Sequence, residues 1–300
     1  MKASHFFHFF SFALGVMIFK QKKPILGTII VTDACNLSCA HCAVNNKTKV
    51  MHPYGQIRSE MDMLYKMGVR ILFFCGGETF MWQDGELGLR DLVRAAKERG
   101  FLEVVVVTNG TFPLDLPEAD LILLSMDGGP EKHNQIRGDT HELIMRNIRN
   151  ATCDNICLYM AVNAVNYEDI RHVAQIARDE KNIRAISFNF HTPYAGTESL
   201  LLSPEQRKKA GDTIIDLIDE GYPVFNLKSA IPHVVAKSFP TPCHQCLVVE
   251  DGRVYTCGRC IEEKGLCENC GYLFVAEYTL VFKGNLKVAF DMLGTYLKYI

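Results

Sequence analysis

Three cysteines, Cys35, Cys39 and Cys42, stand at C-x3-C-x2-C spacing directly after a short apolar run at residues 28–31. Three thiolates can hold three corners of a cubane iron–sulfur cluster, which normally takes four protein ligands. The remaining iron would then be open to another ligand. An open position separates catalytic from structural metal sites, as zinc chemistry illustrates. Zinc is the competing occupant, because C-x2-C pairs are its ordinary ligands. It would need a fourth donor, and His41, adjacent to Cys42, is awkwardly placed to give one. Ligand number and geometry favour the cluster.

A second group of thiols follows near the C-terminus. Cys243 and Cys246, Cys257 and Cys260, and Cys267 and Cys270 form three C-x2-C pairs. Between the first two pairs, residues 247–255 read as a β-hairpin turning at Asp251-Gly252. A hairpin bracketed by thiolate pairs is a metal-binding unit. Six thiolates can hold one cluster with two left over, a zinc plus two, or two metals with bridging or other ligands. The chain has 12 cysteines, and this clustering reads as metal ligation in a reducing compartment rather than a secreted disulfide framework. Cys75 and Cys157 fall on strand positions and read as buried core thiols.

The elements that must position these groups alternate along the chain. Apolar strand candidates occupy 28–32, 71–75, 103–108, 121–126, 157–165 and 183–190. Helical patterns lie at 54–67, 87–99, 142–150, 167–179 and 204–220, the last opened by Ser203 as N-cap and Pro204 at the first helical position. Short apolar strands alternating with amphipathic helices mean βαβ units and a parallel sheet. The fold class is α/β, a partial (β/α)6 TIM-like barrel with a small C-terminal cysteine-rich region. A doubly wound open sheet is the alternative. Either way, ligands bind at the carboxyl ends of the strands. The polar motifs fall there: the cysteine loop, Gly76-Gly77-Glu78, Asn109, Ser125 to Asp127, Asn163, and Asn189 with His191.

The expected division is an apolar segment at 1–24, a core at 25–230, and a cysteine-rich region with a terminal helix at 231–300. A net charge of −2 gives no reason to expect nucleic acid. Residues 6–19 are almost wholly apolar and lysines follow at Lys20, Lys22 and Lys23. Such a run is too short to span a bilayer as a helix, and it lacks a signal-peptide cleavage pattern. It reads either as a helix packed on the barrel or a subunit, or as an interfacial anchor. Near the other end Leu286, Ala289, Phe290, Leu293, Tyr296, Leu297 and Ile300 recur at helical spacing. Core packing is the first use of such a stripe. A membrane surface or a lipid-like substrate is the second.

Taken together, the cysteine loop after the first strand, Gly76-Gly77-Glu78 after the second and "SMDGGPEKHNQIRG" after the fourth resemble the radical S-adenosylmethionine (SAM) superfamily over residues 25–230. The resemblance implies that Cys35, Cys39 and Cys42 hold a [4Fe–4S] cluster and that SAM chelates its open iron. One-electron cleavage of the sulfonium would give methionine and a 5′-deoxyadenosyl radical, which would attack an unactivated carbon. It further implies that Gly76 and Gly77 let the backbone approach the ligand and that Glu78 accepts from the SAM amino group. Ser125 and Asp127 would hold the carboxylate side or ribose, Asn109 and Asn163 the ribose, and Arg137 the carboxylate. His41 would pack against the adenine. The tail resembles the auxiliary-cluster extensions called SPASM and twitch domains, with departures in spacing and in its last cysteine. An auxiliary [4Fe–4S] cluster is expected there, with zinc as the alternative. The implied partners are a small-molecule, lipid-like or peptide substrate and an electron donor of flavodoxin or ferredoxin type. The implied setting is cytoplasmic, with peripheral attachment to the inner membrane face if the termini bind lipid. A non-catalytic zinc-binding scaffold or adaptor is the reading from a different class.

Overall fold

The computed structural model describes residues 11, 12, 15, 23–42, 48–241, 244–257 and 265–299, apart from the Tyr296 side chain. Six strands run parallel and pair in sequence order: β1 (Leu26–Thr32), β2 (Ile71–Gly76), β3 (Glu103–Thr108), β4 (Leu121–Ser125), β5 (Ile156–Val162) and β6 (Ile183–Phe190). Their outward faces bury against α1 (Tyr54–Met67), α2 (Leu89–Arg99), α3 (Pro130–Arg137), α4 (His141–Asn150), α5 (Ile170–Asp179) and α6 (Pro204–Asp219). A short helix, α7 (Ile231–Val235), follows. The sequence reading of α6 holds in detail. Ser203 accepts from the Gln206 amide, Gln206 answers the Ser203 amide, and Pro204 opens the first turn.

Some boundaries moved for local reasons. The helix expected from 87 starts at Leu89, because 83–84 and 87–88 pair as a small ribbon around Gly85, whose φ is 61°. The fifth strand stops at Val162, where Asn163 and Asn166 take over the backbone groups. The motif after β4 is itself a helix, α3, with Pro130 at its start. The expected helix from 167 begins as a 3-10 turn and becomes α-helical at Ile170.

The expected hairpin exists as β7 (Cys246–Glu250) and β8 (Arg253–Thr256). Asp251 and Gly252 have φ of 51° and 72°, the left-handed pair that a two-residue hairpin turn requires. The hairpin also extends the barrel sheet, since β7 pairs parallel to β1 from Leu26↔Cys246 to Ile29↔Val249. The eight strands therefore run β8-β7-β1-β2-β3-β4-β5-β6, with edges at β8 and β6.

Across the open side lies α8 (Leu273–Phe282), apolar on all faces and nearly all buried, as such a helix must be. Its first amide, on Leu273, donates to Asn189 at the end of β6, and Phe274 stacks on Phe73 of β2. Six residues on, Thr279 donates to Gln245 just before β7. The Phe12 ring lies 5.1 Å from that of Phe282, centroid to centroid. The rest of the apolar run 6–19 lies outside the described residues, except Ser11 and Gly15.

The last helix, α9 (Leu286–Tyr299), corrects an expectation. Its stripe was expected first in the core, yet Leu286, Phe290, Leu293 and Leu297 are 66%, 71%, 46% and 75% exposed. The opposite face docks instead, through the fully buried Val288 and through Asp291, which accepts from the Ser229 amide. Among the described residues no helix is long and apolar enough to cross a membrane.

Candidate active site

The cysteine loop leaves β1 at Thr32 and is pinned from several sides. The Gly77 amide donates to Thr32 O at 2.7 Å, the Glu78 amide to Ala34 O at 2.9 Å, and the Ala40 amide to Ile136 O at 2.9 Å. This contact needs both glycines. A Cβ on Gly76 would lie 2.2 Å from Thr32 O, and one on Gly77 would lie 2.0 Å from Ala34 O. The end of β2 is thus pressed against the backbone that launches the loop.

Cys35, Cys39 and Cys42 line one cavity of about 240 Å³ at the carboxyl ends of the strands. Gly76, Gly77, Asn109, Ser125 and Arg137 share its wall. Two sulfurs already receive donors. Asn109 Nδ2 points to Cys35 Sγ at 3.7 Å, and Arg137 Nη1 to Cys39 Sγ at 3.8 Å. Burial pushes both thiols up, with Arg137 opposing it at Cys39. A bound metal centre reverses that balance and holds the thiolates.

Three of the expected contact residues do other work. Glu78 is fully buried and lines neither this cavity nor the one beneath it. Its carboxylate accepts from Thr108 Oγ1, the Asn109 amide and the Phe80 amide at 2.7, 2.7 and 3.0 Å, so it brackets β2 to β3. Asn163 is spent on the turn after β5, accepting from the Val165 amide and donating to Ala161 O. Asp127, also fully buried, pairs with Arg137 Nε at 2.5 Å and accepts from the Ala161 amide at 2.8 Å. Burial alone would raise its carboxyl, but Arg137 overcomes that and holds it below the usual carboxylate range. Arg137 therefore stands between a buried carboxylate and Cys39, with its Nη2 3.3 Å from His41 Nε2. Burial brings the His41 imidazole down to about 4, so it is neutral, and its Nδ1 has no hydrogen-bond partner.

Sequence reasoning missed Tyr159, Tyr194 and Tyr272, which also line this cavity. Tyr159 is a lone polar ring in the apolar run Ile156–Val162, and that was its only signal. Asn189 and His191, singled out only as strand-end residues, join the same wall. Cys157 is a buried core thiol, as expected. Cys75 is not. It faces both cavities, and burial from bulk water pushes its thiol up to about 12.

The donor set fits an iron–sulfur cluster. Three thiols share one enclosed wall, two with side-chain donors on sulfur of the kind that tune such centres. Among the described residues no three His, Cys, Asp or Glu side chains are gathered as a single metal ion needs. A cubane does not need that convergence, because each thiolate holds a different iron.

The tail thiols divide into two places. The Cys257 amide donates to Cys246 O at 3.0 Å, so these two residues are neighbours across β7 and β8, beside the start of β1. Cys267 and Cys270 sit at the other end of α8, where Arg207 donates to Cys270 O and the Phe190 amide to Gly271 O. About 9 Å of helix rise separates the contacts at Leu273 and Thr279. Cys243 and Cys260 lie outside the described residues.

The Radical SAM superfamily profile matches residues 29–177. A 7,8-dihydro-6-hydroxymethylpterin dimethyltransferase of Methanocaldococcus jannaschii is 31% identical over 56% of this chain, which spans only 36% of that protein. A GTP 3′,8-cyclase of Aquifex aeolicus is 26% identical, covering 81% of this chain and 84% of the cyclase. Among solved structures, Streptococcus suis SuiB bound to S-adenosylmethionine superposes with a TM-score of 0.63 at 13% identity, over 89% of this chain and 68% of SuiB. Native anSMEcpe with bound AdoMet gives 0.56 at 20% identity, over 86% and 82%. These likenesses set the fold as that of the partial barrel rather than a doubly wound sheet. The reading as a non-catalytic zinc scaffold gives way as well, because residues 29–177 match the radical SAM superfamily of enzymes.

Proposed function

We propose that this enzyme binds a [4Fe–4S] cluster through Cys35, Cys39 and Cys42 and uses SAM to modify an unactivated carbon of a lipid-like or peptide substrate. The observation that carries the reading is the shared wall: three loop cysteines and the ends of the barrel strands close on one cavity. Bound there, the cluster and SAM would supply one-electron reductive cleavage of the sulfonium and, through it, hydrogen-atom abstraction from the substrate. The chain's own residues bind and orient. Asn109 and Arg137 donate to the cysteine sulfurs, Ser125 offers a hydroxyl to ribose, and His41 gives a neutral flat ring. Glu78, Asn163 and Asp127 hold those residues in place through the bonds described above.

The electron comes from a flavodoxin or ferredoxin type donor. An auxiliary [4Fe–4S] cluster, or zinc, is assigned to the tail thiols. The position of Cys246 beside Cys257 supports a centre built with Cys243 and Cys260, apart from Cys267 and Cys270. A peptide substrate draws support from the solved SuiB bound to precursor peptide SuiA, a likeness of fold. A lipid-like substrate, and peripheral attachment to the inner membrane face, draw support from the exposed apolar stripe of α9.

Anaerobically reconstituted protein given SAM and dithionite is expected to form 5′-deoxyadenosine. No product from protein with a full iron and sulfide complement would sink the reading. For the tail, the Cys35/Cys39/Cys42→Ala triple variant should retain iron and sulfide. Zinc alone in that variant would overturn the auxiliary cluster.

A further inference from the structure

Beneath the cysteine cavity lies a second and larger one. It occupies the inside of the barrel and measures about 330 Å³. Its walls are inward side chains of all seven strands β1 to β7, chiefly Ile30, Phe73, Val105, Leu123 and Val248, closed by Phe274 of α8. The inward positions alternate as a strand dictates, so the bore is a sequence property of the strands and not a chance gap. The two cavities meet, because Cys75, Val107, Tyr159, Tyr194 and Tyr272 belong to the walls of both. Tyr194 and Tyr272 hydroxyls are 3.0 Å apart at that junction. At the far end the wall turns polar with Glu103, Asp120, Arg184 and Glu250.

We propose that this bore is the substrate chamber and that it takes a single apolar chain, acyl or isoprenoid, with its reacting carbon at the tyrosine junction. The proposal rests on the catalytic reading above and names its substrate class. Chemistry supports it. A peptide carries a donor and an acceptor on nearly every residue, and each is costly to bury unpaired. The middle of this bore presents only side chains, because the strand backbones around it are already paired with one another. A hydrocarbon chain asks for nothing else. The exposed apolar stripe of α9, Leu286, Phe290, Leu293 and Leu297, is a separate feature suited to a lipid surface from which such a chain would come.

The test is equilibrium binding of hexanol, octanol and decanol to the full-length, reconstituted protein without SAM, by calorimetry. Affinity should rise roughly tenfold for each added pair of methylenes, the increment expected of full burial. Leu123→Trp, which fills the bore, should abolish that dependence. Phe73→Ala, which enlarges it, should preserve it, and serves if the first variant fails to fold. A flat chain-length series in the wild-type protein, or an undiminished one in folded Leu123→Trp, would overturn the proposal. So would equal binding of an apolar peptide such as acetyl-trileucine amide that competes with decanol. Deoxyadenosine formation by the wild-type protein without alcohol is a separate readout. Its failure would overturn the catalytic reading while leaving chain-length-dependent binding intact.

Discussion

Replacing Asp127 by Asn keeps the shape of the side chain and removes its charge. The carboxylate is fully buried, and its partner Arg137 is nearly so. Arg137 would keep Cys39 Sγ and the neutral His41 ring as hydrogen-bonding neighbours, with no carboxylate paired to it. Breaking a buried ion pair by removing one charge costs about 3–5 kcal/mol, because the other charge is left uncompensated. The Ala161 amide loses nothing, since Asn can still accept from it. At roughly 2 °C per kcal/mol for a chain of this size, the apparent unfolding midpoint should fall by about 6–10 °C. Adding Arg137→Met removes the stranded charge, and the double variant should recover most of that loss. The assay is a double-mutant cycle by thermal unfolding of the cluster-free protein under anaerobic reducing conditions. A fall of less than about 2 °C for Asp127→Asn, or a double variant that is no better than the single, would refute the buried-pair argument.

Other outcomes follow from the same geometry. Gly77→Ala places a Cβ against the Ala34 carbonyl, so the cysteine loop must shift; destabilisation of about 1–3 kcal/mol and clear loss of bound iron are expected, while normal iron content would count against the close-approach role. Burial pushes the Glu277 carboxyl up to about 7, against an ordinary 4.5, with donors only from the Leu227 amide and Asn226. The folded state therefore holds its proton more tightly than the unfolded chain. That contribution, roughly 3 kcal/mol, is complete below pH 4.5 and is lost as pH rises through 7. Glu277→Gln should flatten stability between those pH values, which chemical denaturation at pH 5 and pH 8 would check (about the two ends of the window). Full-length protein should bind anionic liposomes, and Phe290→Glu with Leu297→Glu should weaken that binding at least tenfold; no liposome binding by the wild type would remove the membrane-surface reading.

The six parallel strands were legible because a βαβ chain advertises its period, switching from short apolar runs to amphipathic helices. The cysteine loop was legible because metal ligands must be close in sequence when a short loop supplies them. What stayed hidden depends on contacts between distant segments. Residues 247–255 read correctly as a hairpin, but nothing local says that β7 will lie along β1. Gly76 and Gly77 read as room for a ligand, whereas the crowding comes from Thr32 and Ala34, brought there by strand pairing. Glu78 and Asp127 have the polarity of ligand contacts, and only three-dimensional bonding shows their acceptors occupied by Thr108, Asn109 and Arg137. The α9 stripe shows the limit of periodicity, which finds an apolar face without saying what covers it.

The central claim is that Cys35, Cys39 and Cys42 leave one iron open and that SAM takes it. Electron paramagnetic resonance of the reduced, reconstituted protein tests this most directly, measured before and after SAM is added. The Cys243, Cys246, Cys257, Cys260, Cys267 and Cys270→Ala variant, lacking the tail thiols, isolates the signal of the loop cluster. In that variant a [4Fe–4S] signal is expected whose shape shifts with SAM and which disappears when Cys35, Cys39 and Cys42 are also replaced by Ala. A cluster signal that SAM leaves unchanged, or one that survives loss of the three loop cysteines in that background, would contradict it.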